Sequence, residues 1–146
     1  MSDRAISILD QSAERLRNSP LRMTRKRQRI LESLATFDRL ATAQELITAA
    51  GLPASDLVTV YRTLDAFASV GVVQIISLEN GTKVYELTAP DDHHHHIICR
   101  KCHRAERVSA CIFHQLETEA RQHGYTAITH IMEIYGLCPV CKANDP

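Results

Sequence analysis

Two Cys-x-x-Cys pairs carry the clearest chemistry in this chain of 146 residues. Each pair offers two thiolates within reach of one tetrahedral ion, which is the usual arrangement of a structural zinc site. The four cysteines are Cys99, Cys102, Cys138 and Cys141. Their spacing predicts a four-cysteine zinc site that ties the start of a small unit to its C-terminal tail. We expect removal of the metal to unfold that unit, because structural zinc contributes folding free energy directly.

A run of four histidines, residues 93–96, leads into the first cysteine pair. If residues 92–98 form a strand, successive side chains point to opposite faces. His93 and His95 then face one side and His94 and His96 the other, so one strand can supply two further metal sites. A metal site needs three or four ligands from different elements. Other parts of the chain offer Glu86, His114 and His130. The alternative for such a run is a solvated polar loop.

The bulk composition is neutral, and the charge is uneven. Lysine plus arginine and aspartate plus glutamate both number 17, and residues 22–29 are strongly basic. We see no apolar run that could span a bilayer and no signal peptide, so we expect a cytoplasmic protein without a membrane partner. In that reducing compartment cysteines are expected to be metal ligands rather than disulfides. Cys111, outside the pairs, is interpreted as a small buried helix residue.

The first part of the chain has the pattern of four helices followed by a hairpin. Thr24, Thr42 and Ser55 are candidate N-caps, and Gly51 and Gly71 are candidate helix ends. The predicted helices are residues 3–18, a second from Thr24 onwards, 43–50 and 55–68. Strands at 72–78 and 83–87 flank an Asn-Gly turn, the strongest short hairpin signal. Three helices and then a hairpin predict a winged helix-turn-helix, which is a DNA-binding arrangement.

Candidate DNA contacts follow from that arrangement. The helix at 55–68 is the recognition candidate, and its polar face carries Thr59, Arg62 and Thr63. The start of the second helix carries Arg25, Lys26 and Arg27, which we interpret as phosphate contacts. The alternative is that both sets are ordinary solvated surface residues.

The second part of the chain predicts a small α+β unit. It has strands at 93–98, 105–108 and 126–135 and a helix at 110–123, with Ile112, Leu116 and Ala120 as the buried stripe of that helix. A boundary near residues 88–92 is indicated by Pro90 and two acids. Units of this size usually need a metal or a partner chain for stability.

Four segments together resemble the ferric uptake regulator family of bacterial metal-responsive transcription factors. They are residues 24–31, residues 59–65, the histidine run with its cysteine pair, and residues 130–141, in this order over almost the whole chain. The resemblance implies an α+β homodimer that represses at operator DNA when metal is bound. It implies a winged-helix domain at 1–88, a hinge at 89–92 and an α/β dimerisation domain at 93–146. It also implies that Tyr61 and Arg62 contact DNA.

The resemblance further implies a regulatory metal site at the hinge, with Glu86, His94 and His96 as ligands. Iron-type members add a histidine where this chain has Leu40, and zinc-type members can add an aspartate where it has Gln74. The fourth ligand is therefore open, with Asp91, Asp92 or a water as candidates. An ion there would fix the angle between the two units and so favour the DNA-competent state.

A second family site uses alternate histidines of the run, His130 and a residue of the intervening helix. This gives His93, His95 and His130, and counting forward from Cys99 gives His114 as the fourth ligand. Counting back from His130 gives Phe113 instead.

The choice of metal depends on ligand softness. Iron-type members carry an aspartate where this chain has His95, and imidazole ligands shift the preference from iron towards zinc. We therefore expect zinc at the regulatory site, with iron or manganese, as in iron-responsive or peroxide-sensing members, as alternatives. A zinc hydrolase would need an open coordination position and a general base, and a metal-storage module would need no winged helix. We expect a regulator that is not an enzyme and has no small-molecule substrate.

Overall fold

The computed structural model describes residues 3–89 and 92–144. Pro90 and Asp91, in the predicted hinge, lie outside the described residues. The chain divides into two compact units, Met1–Asp92 and His93–Pro146. In the part of the chain that the structure describes, no helix combines the length and the apolar character needed to cross a membrane.

The first unit is a helical bundle with a small sheet. Its elements are α1 (Asp3–Arg17), α2 (Arg25–Ala35), β1 (Ala41–Thr42), α3 (Ala43–Ala49), a 3-10 turn (Ala54–Asp56), α4 (Leu57–Ser69), β2 (Val73–Ser77) and β3 (Lys83–Leu87). The sheet has the order β1-β3-β2, and β2 and β3 form an antiparallel hairpin. The turn includes Gly81 at a φ of +81°, a backbone region that glycine enters at little cost. The unit is a winged helix-turn-helix, as the sequence predicts.

Side-chain caps begin two of these helices. The Thr24 hydroxyl accepts from the backbone N–H of Arg27. Thr42 and Glu45 form a reciprocal capping box at the start of α3, which satisfies two backbone N–H groups at once. The predicted cap at Ser55 is wrong, because α4 begins at Leu57 and a 3-10 turn precedes it.

The core of the first unit forms where the apolar faces of the helices meet the sheet. Val60, Leu64 and Phe67 on α4 are each fully buried. They pack in one cluster with Ile30 of α2 and Leu46 of α3. Burying a side chain of this size stabilises a fold by about 1.5–3 kcal/mol. The inner face of α4 therefore holds the helix in the core, and its outer face is available for binding.

The second unit is a three-stranded sheet with two short helices. Its elements are β4 (His95–Cys99), β5 (Ala105–Val108), α5 (His114–Gln122), β6 (Glu133–Gly136) and α6 (Pro139–Ala143). The strand order is β5-β4-β6, with β5 antiparallel and β6 parallel to β4. The predicted helix at 110–123 is shorter than expected, and so is the predicted strand at 126–135.

One prediction about this unit is wrong for a physical reason. Ile112 and Leu116 were expected on a buried stripe, but their side chains are 76% and 57% exposed. Ile112 precedes α5, and Leu116 lies on a face of α5 that the small sheet does not cover. The apolar side chains that the sequence pattern identifies are present, but in a single copy of this unit they are exposed to solvent.

Candidate metal centres and nucleic-acid interface

The four cysteines of the two pairs converge on one point of the second unit. Their sulfur atoms all lie within 4.8 Å of one another. The Sγ atoms of Cys102 and Cys138 are 3.7 Å apart. Zn–S bonds of about 2.3 Å in tetrahedral geometry place two sulfurs about 3.8 Å apart, so this group fits a zinc ion.

Strand pairing brings the two cysteine pairs together. Cys99 ends β4 and lies opposite Gly136 of the parallel strand β6. The chain then continues to Cys138, which is the N-cap of α6. The backbone N–H of Cys138 donates to Sγ of Cys99 at 3.4 Å, and that of Cys141 donates to Sγ of Cys138 at 3.4 Å. N–H donors of this kind stabilise thiolates.

The backbone N–H donors lower the pKa of the Cys99 thiol. Hydrogen bonds from the backbone N–H groups of Cys102 and Cys138 lower the pKa of the Cys99 thiol to about 5. Burial raises the pKa of the Cys141 thiol to about 12. Zinc binding at this site therefore releases protons from those thiols that are not yet ionised.

A second cluster lies on one face of β4. Nε2 of His95 is 3.1 Å from Nε2 of His93 and 3.3 Å from Nε2 of His130. Sγ of Cys111 lies 3.4 Å from Nε2 of His130. Burial, followed by the neighbouring His93 and His130, lowers the pKa of His95, so this imidazole is neutral and can bind metal at neutral pH.

The structure brings Cys111 into this cluster and leaves His114 out of it. His114 is the first residue of α5, and its exposed side chain lines an open pocket with Thr118 and Gln122. Cys111 precedes the helix and is half-buried. The interpretation of Cys111 as a small buried helix residue is therefore wrong.

Sequence reasoning also missed Glu117. Its Oε1 lies 2.7 Å from Nδ1 of His130. This contact leaves Nε2 of the same ring directed at the cluster. The sequence does offer a signal for Glu117. The helix at 110–123 is predicted to supply one residue to this site, and Glu117 is the glutamate one helical turn beyond Phe113.

His94 and His96 lie on the other side of β4. Their ring centroids are 4.8 Å apart and the rings are nearly perpendicular. The alternation of the four histidines between two faces is therefore present, as a strand requires. Nη2 of Arg107 lies 2.6 Å from Nδ1 and 2.9 Å from Nε2 of His94. A metal ion on either nitrogen of His94 would have to displace this guanidinium.

In the first unit, the residues expected near the regulatory site occupy distinct environments. Glu86 is half-buried on β3 and lies directly opposite Gln74 of β2. Leu40 is 3% exposed and belongs to the buried apolar residues. An apolar core residue therefore occupies the position where iron-type members carry a histidine.

The outer face of α4 carries the candidate DNA contacts. Tyr61 is 43% exposed, Arg62 is also exposed and Thr59 is half-buried. Thr63, which the helical pattern placed on the same face, is 3% exposed and so cannot reach a base.

The basic start of α2 lies beside the start of α4. Nζ of Lys26 is 2.8 Å from Oδ1 of Asp56, which immediately precedes α4. Arg27 donates to the backbone carbonyl of Arg22 at 2.7 Å, while Arg25 is exposed. The helix that could contact bases thus lies beside the cations that could bind phosphates. In DNA recognition, phosphate contacts position the protein and base contacts give sequence specificity.

A winged helix-turn-helix followed by a unit with clustered thiol and imidazole ligands defines a metal-responsive transcription regulator. Residues 18–135 match the profile of the Ferric uptake regulator family, and the chain belongs to that family. It is 30% identical over 136 residues to the ferric uptake regulation protein of Legionella pneumophila, covering 90% of this chain and 99% of that protein. It is 35% identical over 129 residues to the zinc uptake regulation protein of Mycobacterium tuberculosis, covering 84% and 96%.

The fold is similar to that of a solved relative. The ferric uptake regulator of Vibrio cholerae aligns with a TM-score of 0.69 at 30% identity, covering 84% of this chain and 96% of that chain. Members of the family are transcription regulators rather than enzymes, which excludes the zinc hydrolase. Relatives are named for both iron and zinc, so the choice of metal depends on the ligands.

Proposed function

We propose that this protein is a zinc-responsive repressor that binds operator DNA as a homodimer when its regulatory site is loaded. The observation that supports it most is the presence, in one chain, of an exposed Tyr61 and Arg62 on a recognition helix and of separate thiol and imidazole clusters. A metal-storage module would not need an exposed recognition helix. A DNA-binding protein that is not regulated by metal would not need the thiol and imidazole clusters.

Glu86, His94 and His96 are the proposed ligands of the regulatory ion. A carboxylate and two imidazoles suit zinc, and three protein ligands leave room for a fourth. Asp92, a water or the amide oxygen of Gln74 can complete the site. The ion acts by binding the DNA-competent state more tightly than the other states, which shifts the population towards it.

Zinc is preferred over iron or manganese on the chemistry of the ligands. The position of the extra iron-type histidine is Leu40, which is 3% exposed and cannot ligate. His95 stands where iron-type members carry aspartate, and imidazole is a softer ligand than carboxylate. Iron-responsive and peroxide-sensing functions are the alternatives of the same class.

Exposed apolar side chains of the second unit support the homodimer. A small soluble unit rarely exposes so many large apolar side chains without a partner. They include Ile112, Leu116, Tyr125, Ile131 and Ile134, which range from 46% to 89% exposed. A dimer covers such a surface and presents two copies of α4 to half-sites about one helical turn apart, roughly 34–36 Å.

The test is a titration of metal against DNA affinity. Duplexes selected from a random pool by the zinc-loaded protein serve as the probe, and fluorescence anisotropy measures binding by protein stripped of labile metal. We expect zinc to restore binding at lower free concentration than iron(II) or manganese(II). Restoration by iron(II) or manganese(II) alone would support the alternative functions, and equal affinity with and without metal would contradict regulation.

A further inference from the structure

The three imidazoles of the second cluster converge, and two of the distances between their nitrogens suit one tetrahedral zinc ion. Zn–N bonds of about 2.0 Å place two ligand nitrogens about 3.3 Å apart. The measured separations between Nε2 atoms are 3.1 Å for His93 and His95 and 3.3 Å for His95 and His130. One corner remains for a fourth ligand.

Cys111 supplies a fourth ligand atom, its sulfur, to the same group. A thiolate and an imidazole on one tetrahedral zinc lie about 3.5 Å apart. Sγ of Cys111 lies 3.4 Å from Nε2 of His130, and all four ligand atoms fall within 4.8 Å of one another. A cysteine buried only for packing has no reason to direct its sulfur at the converging nitrogens of three imidazoles.

Glu117 has a different role in the same cluster. It holds Nδ1 of His130 at 2.7 Å and also lies 3.8 Å from Arg121. A carboxylate on Nδ1 fixes the tautomer and orients Nε2 towards a metal, which is the common arrangement around zinc-binding histidines. The ring of Phe113 lies 4.7 Å from that of His130 and covers one side of it.

We propose that Cys111, and not His114, is the fourth ligand of a metal ion held by His93, His95 and His130, with Glu117 as the residue that positions His130. One thiolate with three imidazoles is a soft donor set, which selects zinc over iron(II) and manganese(II). The assignment goes beyond the repressor function, and it holds whether or not this ion controls DNA binding.

Cobalt(II) spectroscopy tests the assignment, because a thiolate bound to cobalt gives a charge-transfer absorption that imidazole and carboxylate do not. The full chain is prepared with zinc in the four-cysteine site, and cobalt(II) is added. Zinc content is measured before and after, so that exchange into the four-cysteine site is detected. The proposed regulatory ligands include no thiol, so a new charge-transfer band with the zinc content unchanged reports on Cys111.

Two single variants form the matched pair. We expect Cys111→Ser to lose the new band and His114→Ala to keep it, with circular dichroism showing that both remain folded. A band that persists in the Cys111→Ser protein, or that disappears in the His114→Ala protein, would overturn the assignment. So would the absence of a new band in the unmodified chain.

A third variant separates positioning from ligation. We expect Glu117→Gln to keep the charge-transfer band at saturating cobalt(II) while weakening metal affinity about 10–100-fold, as for other residues that orient metal-binding histidines. An unchanged cobalt(II) affinity in this variant, or a band that stays absent at saturation, would contradict its proposed role as a positioning residue. None of these readouts involves DNA, so they can fail or succeed independently of the repressor function.

Discussion

The backbone N–H of Cys138 donates to Sγ of Cys99 at 3.4 Å, although the two residues are 39 positions apart in the sequence. This contact joins the end of β4 to the start of α6. It also places both cysteine pairs where one ion can bind all four sulfurs. The four-cysteine site of the second unit thus lies where the first strand of that unit, β4, meets its C-terminal helix, α6.

Replacement of one cysteine of this group should unfold the second unit. We expect Cys138→Ser to lose one equivalent of zinc and to make the second unit sensitive to protease, because structural zinc supplies folding free energy to a unit of this size. Metal analysis and limited proteolysis measure the two effects. His114→Ala is the control, because His114 is exposed and belongs to neither cluster, and it should retain all of its zinc. A Cys138→Ser protein with a full complement of tightly bound zinc would disprove the site.

The exposed arginine of α4 should be required for sequence-specific DNA binding. We expect Arg62→Ala to weaken binding to a selected duplex by about 1–3 kcal/mol, the usual contribution of a base-contacting arginine. Arg17→Ala removes the same charge from the exposed end of α1 and is the control. Anisotropy titrations measure both, and zinc content should be unchanged in both. Equal losses for the two variants would indicate a general charge effect instead of base recognition.

The ion pair between Lys26 and Asp56 should weaken DNA binding in the natural protein. Asp56→Asn frees the ammonium group at the start of α2 and removes a negative charge next to α4. We expect tighter binding at low salt and a salt dependence steeper by at most about one phosphate contact.

The matching control for this variant is Asp38→Asn, which removes an exposed charge before β1. The cost in stability of breaking the pair should be about 1 kcal/mol or less, because about half of the Lys26 side chain is exposed to solvent. If Asp56→Asn leaves both affinity and salt dependence unchanged, Lys26 does not contact phosphate.

An added carboxylate next to Glu86 should strengthen the proposed regulatory site. Gln74 lies directly opposite Glu86 in the hairpin, so Gln74→Asp places a second acid beside it. We expect zinc affinity at the regulatory site to rise about tenfold, since affinity increases with the charge of the ligands. Competition with a chromophoric chelator measures it. Ser77→Asp, on the same strand opposite Lys83, is the control. A rise in both variants, or in neither, would count against Glu86 as a ligand.

Much of the fold could be predicted from the sequence because its signals are local. Thr24 and Thr42 cap helices within a few residues of themselves, and the Asn-Gly turn sets the hairpin. The Cys-x-x-Cys spacing likewise depends on one short turn. Each of these features depends only on residues that are close together in the sequence, so the sequence pattern predicts it.

The assignment of ligands between elements was decided by the tertiary structure. Cys111 and His114 are three residues apart, and which of them reaches His130 depends on where α5 begins. No local cap marks that position, since Phe113 makes no side-chain capping hydrogen bond. The Lys26–Asp56 pair likewise joins residues 30 positions apart and has no local signal. The sequence by itself determined which ligands are available, and the three-dimensional fold decided which of them meet.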